Sequence, residues 1–377
     1  MTTTSHSSLG ALRRHCVTAV ACLAAVAAFV AREPAAPAHR VATTVNASVS
    51  NADVLARAAA PKADAEAPRT FSYGWPVRPF DRQHPVRGSF ADPRSIFLGA
   101  PTRHGLLTSA CACSYHQGID ISAPDGTPVY PVRSGTVRIV TSEWVEVDSN
   151  AGSAFQYWHI APLVRVGDHV EERRTVLGHI LKASNHVHLT QLQDGRAVNP
   201  LAAGNIGPYA DATTPHVNRI EFRASDAGSP LLPEFLHGRV ELVADASDEP
   251  AIPVPGRWNG LPVTPAKITF RVEHLPDHRV AIAETVAADV TRSLPATPDM
   301  WHTYARGTHM NMVKMGSHRY WFQPGVYLFK LTPTPFDTHR LPDGAYALIV
   351  TASDTAGNHS SSTQIFSVHN RASWLGA

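Results

Sequence analysis

Five residues in the first half of the chain are of the types that metal-assisted hydrolysis uses. They are His116 and Asp120 in His116-Gln-Gly-Ile-Asp120, His159 in Tyr157-Trp-His159-Ile160, and His186 and His188 in His186-Val-His188. Two imidazole nitrogens and one carboxylate oxygen make the three-ligand set of a hydrolytic zinc, which keeps its fourth position for water. A structural zinc would need a fourth protein ligand, and Cys111 and Cys113 are the only thiolates nearby in sequence. In a strand, residues two apart project from one face. His186 and His188 therefore share a side, one suited to the metal and its neighbour to the water. Gly118 and the following Ile121-Ser-Ala-Pro124 argue against a helix over His116–Asp120, so a turn must bring that pair together. No His-Glu-x-x-His helix, Gly-x-Ser-x-Gly elbow or Gly-rich phosphate loop is present.

With 21 histidines in 377 residues, such pairs also arise by chance, and context has to carry the case. Alone, His188 reads as a hydrogen-bonded strand histidine, Asp120 as a turn residue and His159 as the end of a strand. His104, His169 and His179 share the region without a matching frame and read as surface or structural. In His274-Leu-Pro-Asp-His278, Pro276 spoils a helical ligand pair.

The elements that must position these residues are strands. Short runs rich in Val, Ile and aromatics alternate with turn residues: Thr127–Val132, Thr136–Val140, Trp144–Val147, Phe155–Ile160, Val176–Ile180 and His186–Leu192. After a Gly/Pro-containing joint at 204–215 a second series begins. It comprises Arg219–Arg223, Gly238–Ala244, Ala266–Val272, Val280–Thr285, Tyr320–Leu331, Gly344–Ala352 and Thr363–Val368. The fold class expected is all-β: an antiparallel sheet or barrel over 71–203, then a β-sandwich over 215–370.

Arg13-Arg14 and the apolar run Cys16–Ala31 read as a secretory signal over 1–38. That run is shorter than the roughly 20 residues a spanning helix needs. Residues 39–70, rich in Ala and Pro, read as a spacer. An exported protein, periplasmic or extracellular, is expected, with membrane contact only through the export signal. A formal net charge of +2 gives no basis for nucleic-acid binding. Oxidation of Cys111 and Cys113 fits export, although a bridge between residues two apart is strained; free thiols near the metal site and pairing with another molecule are the alternatives.

Taken in order, the segments resemble the LytM/lysostaphin-type metalloendopeptidases that cut peptidoglycan peptides. The resemblance rests on His116–Asp120, Ala123-Pro-Asp-Gly-Thr-Pro-Val129 with Gly135-Thr-Val137, and Tyr157–Ile160. It continues through Val166-Gly-Asp-His-Val170, Val176-Leu-Gly178, and His186–His188 followed by Val198-Asn-Pro-Leu201. It implies one zinc per chain on His116, Asp120 and His188, with His159 and His186 assisting catalysis on peptidoglycan peptides. A non-catalytic LytM-like regulator or wall-binding protein is the alternative. Three departures stand out: Lys182-Ala-Ser-Asn185 replaces a glycine-bearing lead-in, Leu189-Thr-Gln191 replaces an acidic or aromatic continuation, and Arg173-Arg174 falls where glycine is common. Further on, Leu341–Asn358 is similar to the closing strands of bacterial immunoglobulin-like modules.

Overall fold

The computed structural model describes residues 72–97, 111–149, 152–226, 228–315 and 320–371. The signal and spacer expected over 1–70, and His104, lie outside them. All described residues fall within one compact unit, Ala65–Ala377. The expected all-β class holds: the only helices among the described residues are 3-10 turns of three residues.

Thirteen strands precede residue 199: β1 (Val86–Gly88), β2 (Pro93–Phe97), β3 (Cys111–Tyr115), β4 (Ile119–Ser122), β5 (Pro128–Val129), β6 (Gly135–Val140), β7 (Trp144–Asp148), β8 (Ser153–Trp158), β9 (Ile160–Pro162), β10 (His169–Val170), β11 (Gly178–Ile180), β12 (His186–Gln193) and β13 (Arg196–Val198). The main sheet has the order β1-β4-β12-β8-β7-β6-β10, with β13 on β12. A small sheet, β5-β11-β9, and a hairpin, β2-β3, flank it. Every ladder is antiparallel.

Period-two patterning decides which face is buried. On β12, Val187 and Leu189 are fully buried, while His186 and His188 project from the opposite face. Phe155 and Tyr157 of β8 are likewise buried. Tyr73 meets Phe155 edge to face at 5.1 Å, and the Tyr157 hydroxyl accepts the Val132 N–H at 2.8 Å. Burial of a large side chain contributes roughly 1.5–3 kcal/mol, so these strands hold the sheet that carries the histidines.

Ten further strands follow: β14 (His216–Ala224), β15 (Arg239–Ser247), β16 (Lys267–His274), β17 (Val280–Asp289), β18 (Met312–Met315), β19 (Tyr320–Gln323), β20 (Leu328–Lys330), β21 (Phe336–Asp337), β22 (Gly344–Ser353) and β23 (His359–Val368). They form a β14-β15-β20 sheet with β21 on β15, a β17-β16-β22-β23 sheet, and a β18-β19 hairpin. The run expected as one strand from Tyr320 to Leu331 is two, β19 and β20. Pro324, which lacks an N–H, and Gly325 lie between them.

The two series share one hydrophobic cluster, from Tyr73 and Trp75 to Phe366 and Val368. Polar contacts add to it. Asn199 donates its backbone N–H to Arg292 O at 2.8 Å, and its Nδ2 donates to Val290 O at 3.1 Å.

Candidate metal centre

Strand register and one turn bring His116, Asp120 and His188 together. Asp120 on β4 is opposite His188 on β12, and His188 is in turn opposite Trp158 on β8. His116 reaches the same point from the turn before β4. Its Nε2 lies 2.7 Å from His188 Nδ1, and Asp120 Oδ1 lies 3.1 Å from both nitrogens. Close approach depends on Gly118: a Cβ there would stand 2.2 Å from Leu189 O and 2.9 Å from His188 Nε2.

The outer ring nitrogens are held. His116 Nδ1–H donates to Ser89 O at 2.7 Å, and His188 Nε2 lies 2.7 Å from the Thr190 hydroxyl. With protons on those outer nitrogens, the inner pair present bare lone pairs to each other and to a carboxylate oxygen. That arrangement is repulsive until a cation sits between them. The residues therefore fit a zinc ion, whose histidine ligands characteristically donate their other N–H to an oxygen.

Electrostatics fit the same reading. Burial lowers the His116 pKa to about 3, so the imidazole is neutral, as a ligand must be. Burial alone would raise the Asp120 carboxyl, but neighbouring cations outweigh it and hold the group well below the usual range. Arg94 is the cation that acts at neutral pH, since His116 is uncharged there. Its Nη2 donates to Asp120 Oδ2 at 2.7 Å, leaving Oδ1 facing the histidines.

His186 and His159 flank this trio, with ring centroids 4.6 Å apart. His186 Nε2 is 3.6 Å from Asp120 Oδ1. Burial lowers its pKa to about 4 and lowers that of His159 as well. His159 sits at φ +65°, a left-handed residue that separates β8 from β9. The strand expected through Ile160 is broken there, and the break turns the imidazole towards His186.

Other sequence features also find explanations. Arg173 has φ +59°, and Ala183 and Asn185 have φ +68° and +52°. These are the left-handed conformations that glycine favours, at the places where glycine was expected. Asp125 holds the second turn by accepting the Ala183 and Asn185 N–H groups, both at 2.7 Å. Cys113 is disulfide-bonded. His169 is exposed and His179 half-buried, and neither joins the trio. His274 pairs with Asp277 at 2.7 Å.

Several residues of the site carry no local sequence signal. The segment Ser89–Asp92 braces His116: Ala91 N–H donates to His116 O at 2.8 Å, and His116 N–H donates to Asp92 O at 2.9 Å. The second strand series holds that brace from behind. Tyr304 donates its hydroxyl to Ala91 O at 3.0 Å, and Thr264 N–H donates to Asp92 Oδ1 at 3.2 Å. Asp211, Asp248 and Asp354 form another carboxylate group, whose oxygens accept N–H groups of their own loops.

Residues 114–200 match the model of Peptidase family M23, and a peptidase M23 domain is thereby placed on this segment. The chain is similar to a zinc-containing peptidase from Vibrio cholerae, with 22% identity over 36% of this chain and 41% of that one, at a TM-score of 0.27. It is similar to the catalytic domain of the prophage-encoded M23 protein EnpA from Enterococcus faecalis, with 26% identity over 29% and 88% of the two chains, at a TM-score of 0.21. It is also similar to the catalytic domain of lysostaphin from Staphylococcus simulans, with 19% identity over 29% and 86%, at a TM-score of 0.21. The chain spans less than half of the Vibrio cholerae peptidase. No curated protein matches it.

Proposed function

We propose that this chain is an exported zinc endopeptidase that hydrolyses peptide bonds in peptidoglycan cross-links or stem peptides. The observation that carries the proposal is the convergence of His116 Nε2, Asp120 Oδ1 and His188 Nδ1, with two neutral histidines beside them. The family match over residues 114–200 supports the same reading. His116, Asp120 and His188 would hold one zinc per chain.

When bound, zinc supplies Lewis-acid polarisation of a carbonyl and a water acidic enough to react near neutral pH. His186 takes the proton of the attacking water at Nε2. In the tautomer that leaves Nε2 free, Nδ1–H would donate to Ser184 O at 2.7 Å, in competition with Arg87 Nη2, which lies 2.7 Å from the same nitrogen. His159 donates a hydrogen bond to the oxygen of the tetrahedral intermediate. Arg94 keeps Asp120 ionised, and Thr190 and Ser89 fix the orientation of the two ligand rings.

The β14–β23 region is read as an immunoglobulin-like sandwich that braces the peptidase half. Its two antiparallel sheets and shared core support this. The test is hydrolysis of purified peptidoglycan, with released fragments identified by mass spectrometry. Wall binding without hydrolysis or stoichiometric zinc would instead favour the non-catalytic role.

A further inference from the structure

The two histidines that flank the metal trio are linked through one short stretch of backbone, residues 181–185. At one end Leu181 N–H donates to His159 O at 2.9 Å, and at the other Ser184 O lies 2.7 Å from His186 Nδ1. The placement of this segment therefore bears on how the two rings sit against each other, with their centroids 4.6 Å apart. Its backbone is not relaxed. Ala183 has φ +68° and Asn185 φ +52°, in the left-handed region that residues with a Cβ avoid. Asparagine tolerates that conformation through its short polar side chain, and alanine has no such compensation.

A carboxylate from elsewhere in the chain holds the segment. Asp125 Oδ2 accepts the Ala183 N–H and Asp125 Oδ1 the Asn185 N–H, both at 2.7 Å. Each left-handed residue is thus fixed by its own oxygen. The N–H groups in turn hold the Asp125 carboxyl below the usual carboxylate range, that of Asn185 foremost. The acceptor is an anion at neutral pH, and hydrogen bonds to an ionised acceptor are roughly twice as strong as neutral ones. The turn that carries Asp125 is itself tied to the end of β11. Gly126 N–H donates to Ile180 O at 2.8 Å, and Ile180 N–H donates to Thr127 O at 3.0 Å. Asp125 therefore reaches the segment from a fixed base, although its side chain is exposed and stands outside the trio.

We propose that Asp125 is a positioning residue for the hydrolytic centre, clamping residues 183–185 in the left-handed turn that sets His186 against His159. Its carboxylate secures a backbone conformation that glycine would adopt without help, so neither 183 nor 185 has to be glycine. The effect on rate rests on the peptide-hydrolase reading above; the clamp itself does not.

The test uses full-length, zinc-loaded protein and a soluble cross-linked stem-peptide dimer, with kcat, KM and bound zinc measured for each variant. Asp125→Ala should lower kcat about ten- to a hundredfold, the scale of an ångström's misplacement at a reacting centre. KM and zinc content should stay near the wild-type values, because strand register and Gly118 hold the ligands without Asp125. Asp125→Asn keeps one carbonyl acceptor and should fall between. Ala183→Gly removes the strained Cβ, so it should restore most of the rate in the Asp125→Ala background and change little in the wild type. Melting curves check folding. If Asp125→Ala does not fold, the rate of Asp125→Asn and its recovery by Ala183→Gly decide. An unchanged kcat in Asp125→Ala overturns the proposal, as does zinc loss in step with the rate, or no recovery by Ala183→Gly. The NMR signals of the His159 and His186 rings separate the clamp from the peptidase reading. They should shift in Asp125→Ala and return on adding Ala183→Gly, even if the wild type hydrolyses nothing. Ring signals that stay in place would overturn the clamp.

Discussion

His116 Nε2 and His188 Nδ1 face each other at 2.7 Å across 72 positions of sequence, with Asp120 Oδ1 3.1 Å from each. Each ring is oriented from behind by an oxygen, Ser89 O for His116 and the Thr190 hydroxyl for His188. The pair exists because β4 and β12 are hydrogen-bonded neighbours and because residue 118 has no side chain.

Gly118→Ala tests that packing. The added methyl meets backbone at Leu189 O, which cannot swing aside as a flexible side-chain end could. Overpacking of this kind costs typically about 1–3 kcal/mol. The variant should melt at lower temperature and retain less zinc after dialysis. Unchanged melting and zinc content would mean that β4 and β12 are not so closely apposed.

Tyr304→Phe tests the brace behind His116. It removes the donor to Ala91 O, a buried carbonyl, at a cost of about 1–3 kcal/mol for the group left unsatisfied. Because Ala91 and Asp92 hold the backbone of His116, zinc affinity measured by chelator competition should fall together with melting temperature. Lost stability with unaltered affinity would uncouple the second strand series from the metal site.

Asp92 supplies a pH prediction. Burial raises its pKa to about 7, against an ordinary value of 3.8. Between those values the folded state holds a proton that the unfolded state has released. The contribution is full below about pH 4 and is lost as pH rises through 7. Asp92→Asn does not titrate, so its melting temperature relative to the wild type should climb between pH 4 and pH 8. A difference that stays flat across that range would show that Asp92 is not protonated in the folded protein.

The strands were legible in the sequence because alternation leaves a local pattern. The trio of His116, Asp120 and His188 came instead from the resemblance of the ordered segments, since such pairs also arise by chance among 21 histidines. Val187 and Leu189 alternate with His186 and His188, and that alternation alone put both imidazoles on one face. The kink at His159 was not legible, since a histidine at positive φ has no composition signal, and the expected strand ran on through Ile160. Pro324 divided another expected strand in the same way, although a proline is visible in any sequence. The roles of Arg94, Arg87 and Tyr304 were hidden for a different reason. Their partners lie 26, 99 and 213 positions away, and only the folded sheets bring them into contact. Left-handed backbone at Arg173, Ala183 and Asn185 shows that missing glycines need not mean a different turn.

The proposed zinc-dependent peptidase is built on His116, Asp120 and His188. Its most direct test is elemental analysis of wild-type and His188→Ala protein, with parallel digestion of purified peptidoglycan. One zinc per chain and released peptide fragments are expected for the wild type, and neither for the variant. Undiminished cleavage by a zinc-free His188→Ala protein would contradict this proposal.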